Sequence, residues 1–321
     1  MILAGIDIGT NTIRLLVADI SGSACRQLYS GRTITRLGQD LVRTGVLAPE
    51  AQERSLTALE SFSRVIRRFS ADQVAVVGTS ALRNASNARE FITAVRQRAG
   101  LDVRIIPGAE EARLTLRGVH GALSKGKPGE ADPLASALVI DIGGGSTEII
   151  RTVQGNIETM TSLPLGAVYL TERYLISDPP LGHEVDGLRT AVRGELDVWE
   201  REAFGGSIVD RTAAITVAGT AGTITTLAAM DQALAAYDPA KINGYTLARS
   251  VLDRMVNMLS VSTLDARRRI AGLEPGREDI ILAGAVVAQE IMERCGARQL
   301  LVSDWGLREG IVLDLYDKNR A

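Results

Sequence analysis

Residues 137–150, Ala-Leu-Val-Ile-Asp-Ile-Gly-Gly-Gly-Ser-Thr-Glu-Ile-Ile, decide how the chain is read. An apolar run at 138–140 stops at Asp141. Gly143, Gly144 and Gly145 follow, then Ser146, Thr147 and Glu148, before apolar residues resume at Ile149. The apolar flanks predict two buried strands joined by a tight turn. Three glycines let the backbone approach a ligand with no side chain in the way. Successive N–H groups in such a turn can form a nest for an anion, with Ser146 and Thr147 adding hydroxyl donors. Asp141 and Glu148 carry the wrong sign for a phosphate site. They make sense if a divalent metal lies between them and the phosphate oxygens. The plainer alternative is a glycine-rich hairpin with solvated acids.

A second copy argues against that alternative. Residues 5–12 read Gly-Ile-Asp-Ile-Gly-Thr-Asn-Thr, followed by an apolar run at 15–18. Asp7-Ile8-Gly9 matches Asp141-Ile142-Gly143 at an offset of 134 residues, and Thr12 falls where Ser146 does. Gly9, Thr10, Asn11 and Thr12 then form a first phosphate loop beside Asp7. A repeat at this distance predicts two related domains, each with one phosphate-binding hairpin, facing one another across a cleft. A third glycine turn at 218–223, with Gly219 and Thr220, separates a predicted strand from a predicted helix. It is a weaker candidate of the same kind, because glycine at a helix start also serves close packing.

The whole chain sets bounds on function. Its 321 residues suit two domains with substantial cores. Hydrophobic content of 45% and charged content of 23% are ordinary for a soluble globular protein. No run approaches the ~20 apolar residues that cross a membrane. The chain opens on a strand with no basic region or cleavage site, so no signal peptide is expected. Cys25 and Cys295 are too few for a disulfide framework, and a cytoplasmic setting is expected. The two histidines, His120 and His183, have no metal-ligand spacing, which weakens zinc and Ser-His-Asp chemistry. A net charge of −2 and only 4% aromatic residues argue against nucleic-acid binding.

In order, strands are expected at 1–8, 12–20 and 25–36, and a helix at 49–69 with Pro49 near its start. A strand at 73–77 runs into 78–84, where small residues, hydroxyls and Arg83 stand at a strand's carboxyl end. Open α/β sheets bind ligands at such ends, so Arg83 is the cation best placed for a terminal phosphate. A helix at 87–98 and a strand at 103–106 follow. The helix predicted at 109–121 carries Glu110 and Glu111 in its first turn, where the helix dipole favours acids without any chemistry. Glu111 lies one position around from the apolar face and could look into a cleft. Residues 124–136, rich in proline and glycine, read as a linker. Beyond the second hairpin come a strand at 157–162, helices at 168–176 and 181–201, a strand at 215–217 and a helix at 224–230. Helices at 246–259, 263–272 and 276–295 follow, then a strand at 300–302 and a helix at 307–319. Arg267, Arg268 and Arg269 read as a solvated helix face. Glycines at 118–121 and the segment 303–306 are hinge candidates.

Taken together, these motifs resemble the exopolyphosphatase and guanosine pentaphosphatase (Ppx/GppA) family of the acetate and sugar kinase/Hsp70/actin superfamily. Matching stretches at 5–17, 78–87, 108–118, 139–149, 163–172, 217–227, 243–245, 272–284 and 303–310 run in family order. The resemblance implies an α/β fold of two actin-like, ribonuclease H-like domains with an interdomain cleft. It places domain I at 1–120 plus 305–321 and domain II at 121–304. By the same resemblance Glu111 is the catalytic base, Arg83 contacts the terminal phosphates, and Glu148 helps hold the metal. Mg²⁺ or another divalent cation is expected on Asp7, Asp141 and Glu148. The implied reaction is hydrolysis of the terminal phosphoanhydride of inorganic polyphosphate, releasing orthophosphate. The alternative within the family is the 5′ phosphate of guanosine pentaphosphate. A small-molecule kinase of the same superfamily is the reading from another class, although no acceptor base is evident. The sequence matches the short form of the family, without an HD-type region, which puts a long processive channel in question. Neither a nucleic acid nor a membrane is an expected partner, and a homodimer is compatible with the resemblance.

Overall fold

The computed structural model describes residues 1–22, 24–124, 132–206 and 216–320. Most of the linker expected at 124–136 therefore lies outside the described residues, as does Ile215 of the strand expected at 215–217. The chain forms two compact units, residues 1–118 with 306–321, and residues 119–305.

In the first unit, β1 (Ile2–Ile8), β2 (Thr12–Ser21) and β3 (Ala24–Ile34) form an antiparallel meander. Then come α1 (Leu41–Thr44), α2 (Pro49–Arg68), β4 (Gln73–Gly78), α3 (Ser80–Asn84), α4 (Ala88–Ala99), β5 (Val103–Ile105) and α5 (Gly108–Leu123). The sheet order is β3-β2-β1-β4-β5, with β4 parallel to β1 and β5 parallel to β4. A parallel neighbour needs a long crossover, and α2 supplies it. Proline occupies the first turn of α2, and Leu56, Leu59, Phe62 and Ile66 line its buried face. Those side chains pack on Ile6, Ile8, Ile13 and Leu15 of the hairpin.

The second unit opens with β6 (Ala137–Ile142), β7 (Thr147–Val153) and β8 (Asn156–Leu163), followed by α6 (Ala167–Tyr174) and α7 (Gly182–Phe204). Next come β9 (Thr216–Thr220), α8 (Ala221–Asp231), α9 (Pro239–Ile242), β10 (Thr246–Ala248), α10 (Arg249–Ser260) and α11 (Leu264–Arg267). The unit closes with α12 (Ile281–Arg294) and β11 (Gln299–Val302), and α13 (Leu307–Lys318) belongs to the first unit. Its sheet order is β10-β11-β9-β6-β7-β8. Leaving out the antiparallel edge strand β10, this is the order of the first sheet again.

The duplication extends to register. Asp7 faces Arg14 and Ile8 faces Ile13 across β1–β2, while Asp141 faces Glu148 and Ile142 faces Thr147 across β6–β7. Each pair recurs 134 positions later. The turns close alike, with Gly9 N–H donating to Thr12 O at 3.1 Å and Gly143 N–H donating to Ser146 O at 3.0 Å. Two such sheets make a two-domain actin-like α/β fold.

Four local expectations are corrected. Residues 246–248 leave the expected helix because they pair with β11 as an edge strand, and only α10 behind them is helical. The helix expected at 263–272 shrinks to α11. The long helix begins at Ile281 rather than at 276, where Gly276 takes φ +86° in a turn. Arg267 is no solvated charge: it is 2% exposed, and its guanidinium donates to the carbonyls of Leu259 and Glu278 at 2.8 and 3.0 Å. Burial also lowers its pKa from the ordinary arginine value. Residues 118–121, considered as a hinge, lie inside helix α5, where the chain passes from the first unit to the second. Glycine at 118 has a packing reason, since a Cβ there would overlap the carbonyl of Gly306.

Candidate active site

The carboxyl ends of β1, β4 and β5 lie at one end of the first sheet, because the three strands are parallel. Asp7 and the turn at 9–12 follow from β1. Thr79 N–H continues the β4 pairing with a bond to Ile8 O, and α3 starts immediately afterwards. In the last turn of α3, Arg83 donates from Nη1 to Ile106 O at 2.9 Å and to Glu111 Oε2 at 2.6 Å. Glu111, in the first turn of α5, is 7% exposed. Arg83 and Glu111, separated by 28 residues, are thus brought together as a part-buried, charge-assisted pair. Glu110 behaves differently. It turns to Arg104 on β5, whose hydrogen bonds hold its carboxyl below the ordinary glutamate range despite some burial.

The first loop is buried: Thr10, Asn11 and Thr12 are 5–7% exposed. Asn11 Nδ2 and Thr12 Oγ1 have no hydrogen-bond partner among the described residues. Buried donors without a partner are rare and call for one, and two side by side on a glycine turn suit an anion. The backbone carbonyls of this loop are spoken for. Gly38 N–H donates to Thr10 O, and Thr35 N–H and Arg36 N–H both donate to Asn11 O. Nothing in the sequence marks this turn: Arg36, expected at the end of a strand, takes φ +51° beyond β3.

The second loop is held otherwise. The first N–H groups of α6 point at it: Ala167 N–H donates to Gly143 O, and Val168 and Tyr169 N–H donate to Gly144 O. Thr147, expected as a phosphate donor, gives its hydroxyl proton to Leu165 O at 2.7 Å. Gly143 N–H is spent on the turn. The donors left to this loop are therefore the amides of Gly144 and Gly145, with Ser146. At the third turn, Thr220 gives its hydroxyl proton to Trp305 O and Gly219 O accepts from Ser303 N–H. A Cβ at 219 would press on Ile224 and Leu300, so this glycine has a packing reason.

Asp141 and Glu148 face one another across β6–β7 and are 7% and 1% exposed. Directly opposed residues share a sheet face. Glu148 Oε1 accepts from Ser162 Oγ at 2.7 Å. In the first unit the place of Glu148 is taken by Arg14, so the pair of carboxylates is not repeated beside Asp7. Among the described residues no three Asp, Glu, His or Cys side chains group as a metal site. Two buried carboxylates do suit Mg²⁺, which commonly takes one or two from the protein and the rest of its shell from water and phosphate.

Fold and hairpins define a duplicated, actin-like α/β protein with a glycine turn at the head of each sheet. Within that class the chain belongs to the Ppx/GppA phosphatase family, whose sequence profile matches residues 16–319. It is 38% identical to Exopolyphosphatase 2 of Mycobacterium tuberculosis over 98% of each chain. The crystal structure of the Aquifex aeolicus family member superposes with a TM-score of 0.79 at 31% identity, covering 100% of this chain and 99% of the other. An exopolyphosphatase from Cytophaga hutchinsonii gives 0.87 at 27% identity, with 99% and 98% covered. No helix among the described residues is long and apolar enough to cross a membrane.

Proposed function

We propose that the protein is an exopolyphosphatase that hydrolyses the terminal phosphoanhydride of inorganic polyphosphate and releases orthophosphate. The observation that carries this reading is the buried Glu111 carboxylate fixed by Arg83, in a chain related along its whole length to curated exopolyphosphatases. Glu111 accepts the proton of the attacking water and orients it. Arg83 stands at its side as the cation for the terminal phosphoryl oxygens. In the first unit Asn11 Nδ2 and Thr12 Oγ1 supply fixed donors for phosphate oxygens, and in the second unit the amides of Gly144 and Gly145 do the same. Phosphoryl transfer rests on positioning and electrostatics more than on covalent help, so these parts suffice. Asp141 and Glu148 would hold Mg²⁺, which supplies charge neutralisation on the phosphate oxygens when bound. Asp7 would take part through its charge near the first loop. Gly219 and Thr220 hold the segment 303–305, and this reading gives them no direct phosphate contact. A cytoplasmic setting belongs to the same proposal, supported by two cysteines in 321 residues.

The test is phosphate release measured side by side on short polyphosphate, long polyphosphate, guanosine pentaphosphate and ATP, each with Mg²⁺. Polyphosphate should give the highest kcat/KM. A higher value on guanosine pentaphosphate would transfer the assignment to that substrate, and transfer to an acceptor without phosphate release would make the protein a kinase.

A further inference from the structure

The segment 163–169, Leu-Pro-Leu-Gly-Ala-Val-Tyr, has no part in the reaction described so far. Its geometry gives it one. Gly166 is the N-cap of α6, with φ −81° and ψ +146°, a conformation open to any residue. Backbone freedom does not explain the glycine. Space does: a Cβ at 166 would overlap the carbonyl group of Gly144 and the carbonyl carbon of Gly145. Those are backbone atoms, which cannot swing aside as a side-chain tip can.

The close approach has a chemical result. A helix begins with N–H groups that have no partner within the helix, and α6 has no side-chain cap. Its first three amides go instead to the second loop: Ala167 N–H to Gly143 O at 2.9 Å, and Val168 and Tyr169 N–H to Gly144 O at 2.8 and 3.1 Å. A trans peptide points its C=O and the following N–H in opposite directions. Fixing the carbonyls of Gly143 and Gly144 toward α6 therefore aims the amides of Gly144 and Gly145 away from it. The hydroxyl of Thr147 ties the same two segments from the far end of the turn, through Leu165 O. Ala167 and Val168 are buried against Ile280, which seats the helix start.

We infer that Gly166 and the first turn of α6 are a positioning device for the second phosphate loop, setting the direction in which the Gly144 and Gly145 amides face the substrate. This deepens the exopolyphosphatase reading and rests on it. The start of α6 is accordingly no anion site of its own, because its amides are spent on the loop.

Two variants test it. Gly166→Ala forces α6 and the loop apart. Ala167→Pro removes the single N–H that holds Gly143 O, while proline is well tolerated at the first position of a helix and Gly166 already has the extended backbone that precedes proline. A donor misplaced by about 1 Å costs on the order of 100-fold in rate. Gly166→Ala should lower kcat/KM on polyphosphate by about that factor and weaken competitive inhibition by inorganic phosphate, with a thermal transition that is lowered but still cooperative. Ala167→Pro should shift both in the same direction by less. Hydrogen exchange at the Gly144 and Gly145 amides, read without substrate, should change in both variants. Wild-type kinetics and wild-type exchange in both variants would overturn the inference. A wild-type protein that releases no phosphate from polyphosphate would overturn the functional reading instead, and the exchange measurement would still judge the geometry.

Discussion

At the residue scale the decisive pair is Arg83 and Glu111. The sequence shows each of them alone, an arginine after a strand and an acid in a helix's first turn, and both have ordinary explanations. Only the fold puts 2.6 Å between them. General-base action contributes about 10²–10⁴-fold, so Glu111→Gln should lower kcat by that order in a phosphate-release assay while KM changes little. Glutamine keeps an oxygen for Arg83 Nη1, which separates loss of the base from loss of the pair. Glu111→Ala leaves a part-buried guanidinium without its partner and should lower the thermal transition as well. Arg267 shows the opposite limit of reading a sequence. Among three arginines in a row nothing local marks the buried one, since its acceptors, the carbonyls of Leu259 and Glu278, are set by how α10 and α11 meet the following turn. The unspent donors Asn11 Nδ2 and Thr12 Oγ1, by contrast, stand where the glycine turn and its hydroxyls pointed.

At the scale of elements, the hairpins were legible because apolar runs, aspartate and glycine repeat at fixed spacing. The edge strand β10 was not, because Leu247 fits the apolar face of the helix behind it and only pairing with β11 makes it a strand. The brace of α6 on the second loop was likewise hidden: Gly166 looks like any turn glycine until the loop lies against it. Helix α13 depends on similar close contacts. A Cβ at Gly310 would overlap the carbonyl of Leu114, one turn after Glu111 on α5, and Gly5 of β1 abuts Val312 and Ile311. Arg113 on α5 reaches Asp314 on α13 at 3.0 Å. Burial raises the Asp314 pKa, but hydrogen bonds from Lys318 and Arg113 outweigh it and leave it below the ordinary value of 3.8. A depressed carboxylate stabilises the fold in full above that value, and the contribution is lost as pH falls through the lower folded pKa. Asp314→Asn should therefore lower the thermal transition at pH 7, and the difference from wild type should shrink as the pH is taken below about 4.

For the whole molecule, the first unit is assembled from two separate pieces of chain, 1–118 and 306–321. The second piece is mostly α13, whose Leu307, Ile311 and Val312 are buried. At roughly 2 kcal/mol for each such side chain, their loss amounts to about 6 kcal/mol. That is comparable with the whole net stability of a domain. Ending the chain after Trp305 should therefore unfold the first unit and leave the second cooperative, seen as one surviving thermal transition and protease sensitivity confined to residues 1–118. The repeat at 134 residues made two units legible, but no local pattern announces that the last helix completes the first of them. The interruption also has a consequence for biosynthesis. On a ribosome adding about 5–20 residues per second, the opening segment waits roughly ten to forty seconds for its missing helix, because residues 119–305 are made in between. Throughout that interval the early sheet on the nascent chain lacks the apolar cover that Leu307, Ile311 and Val312 provide.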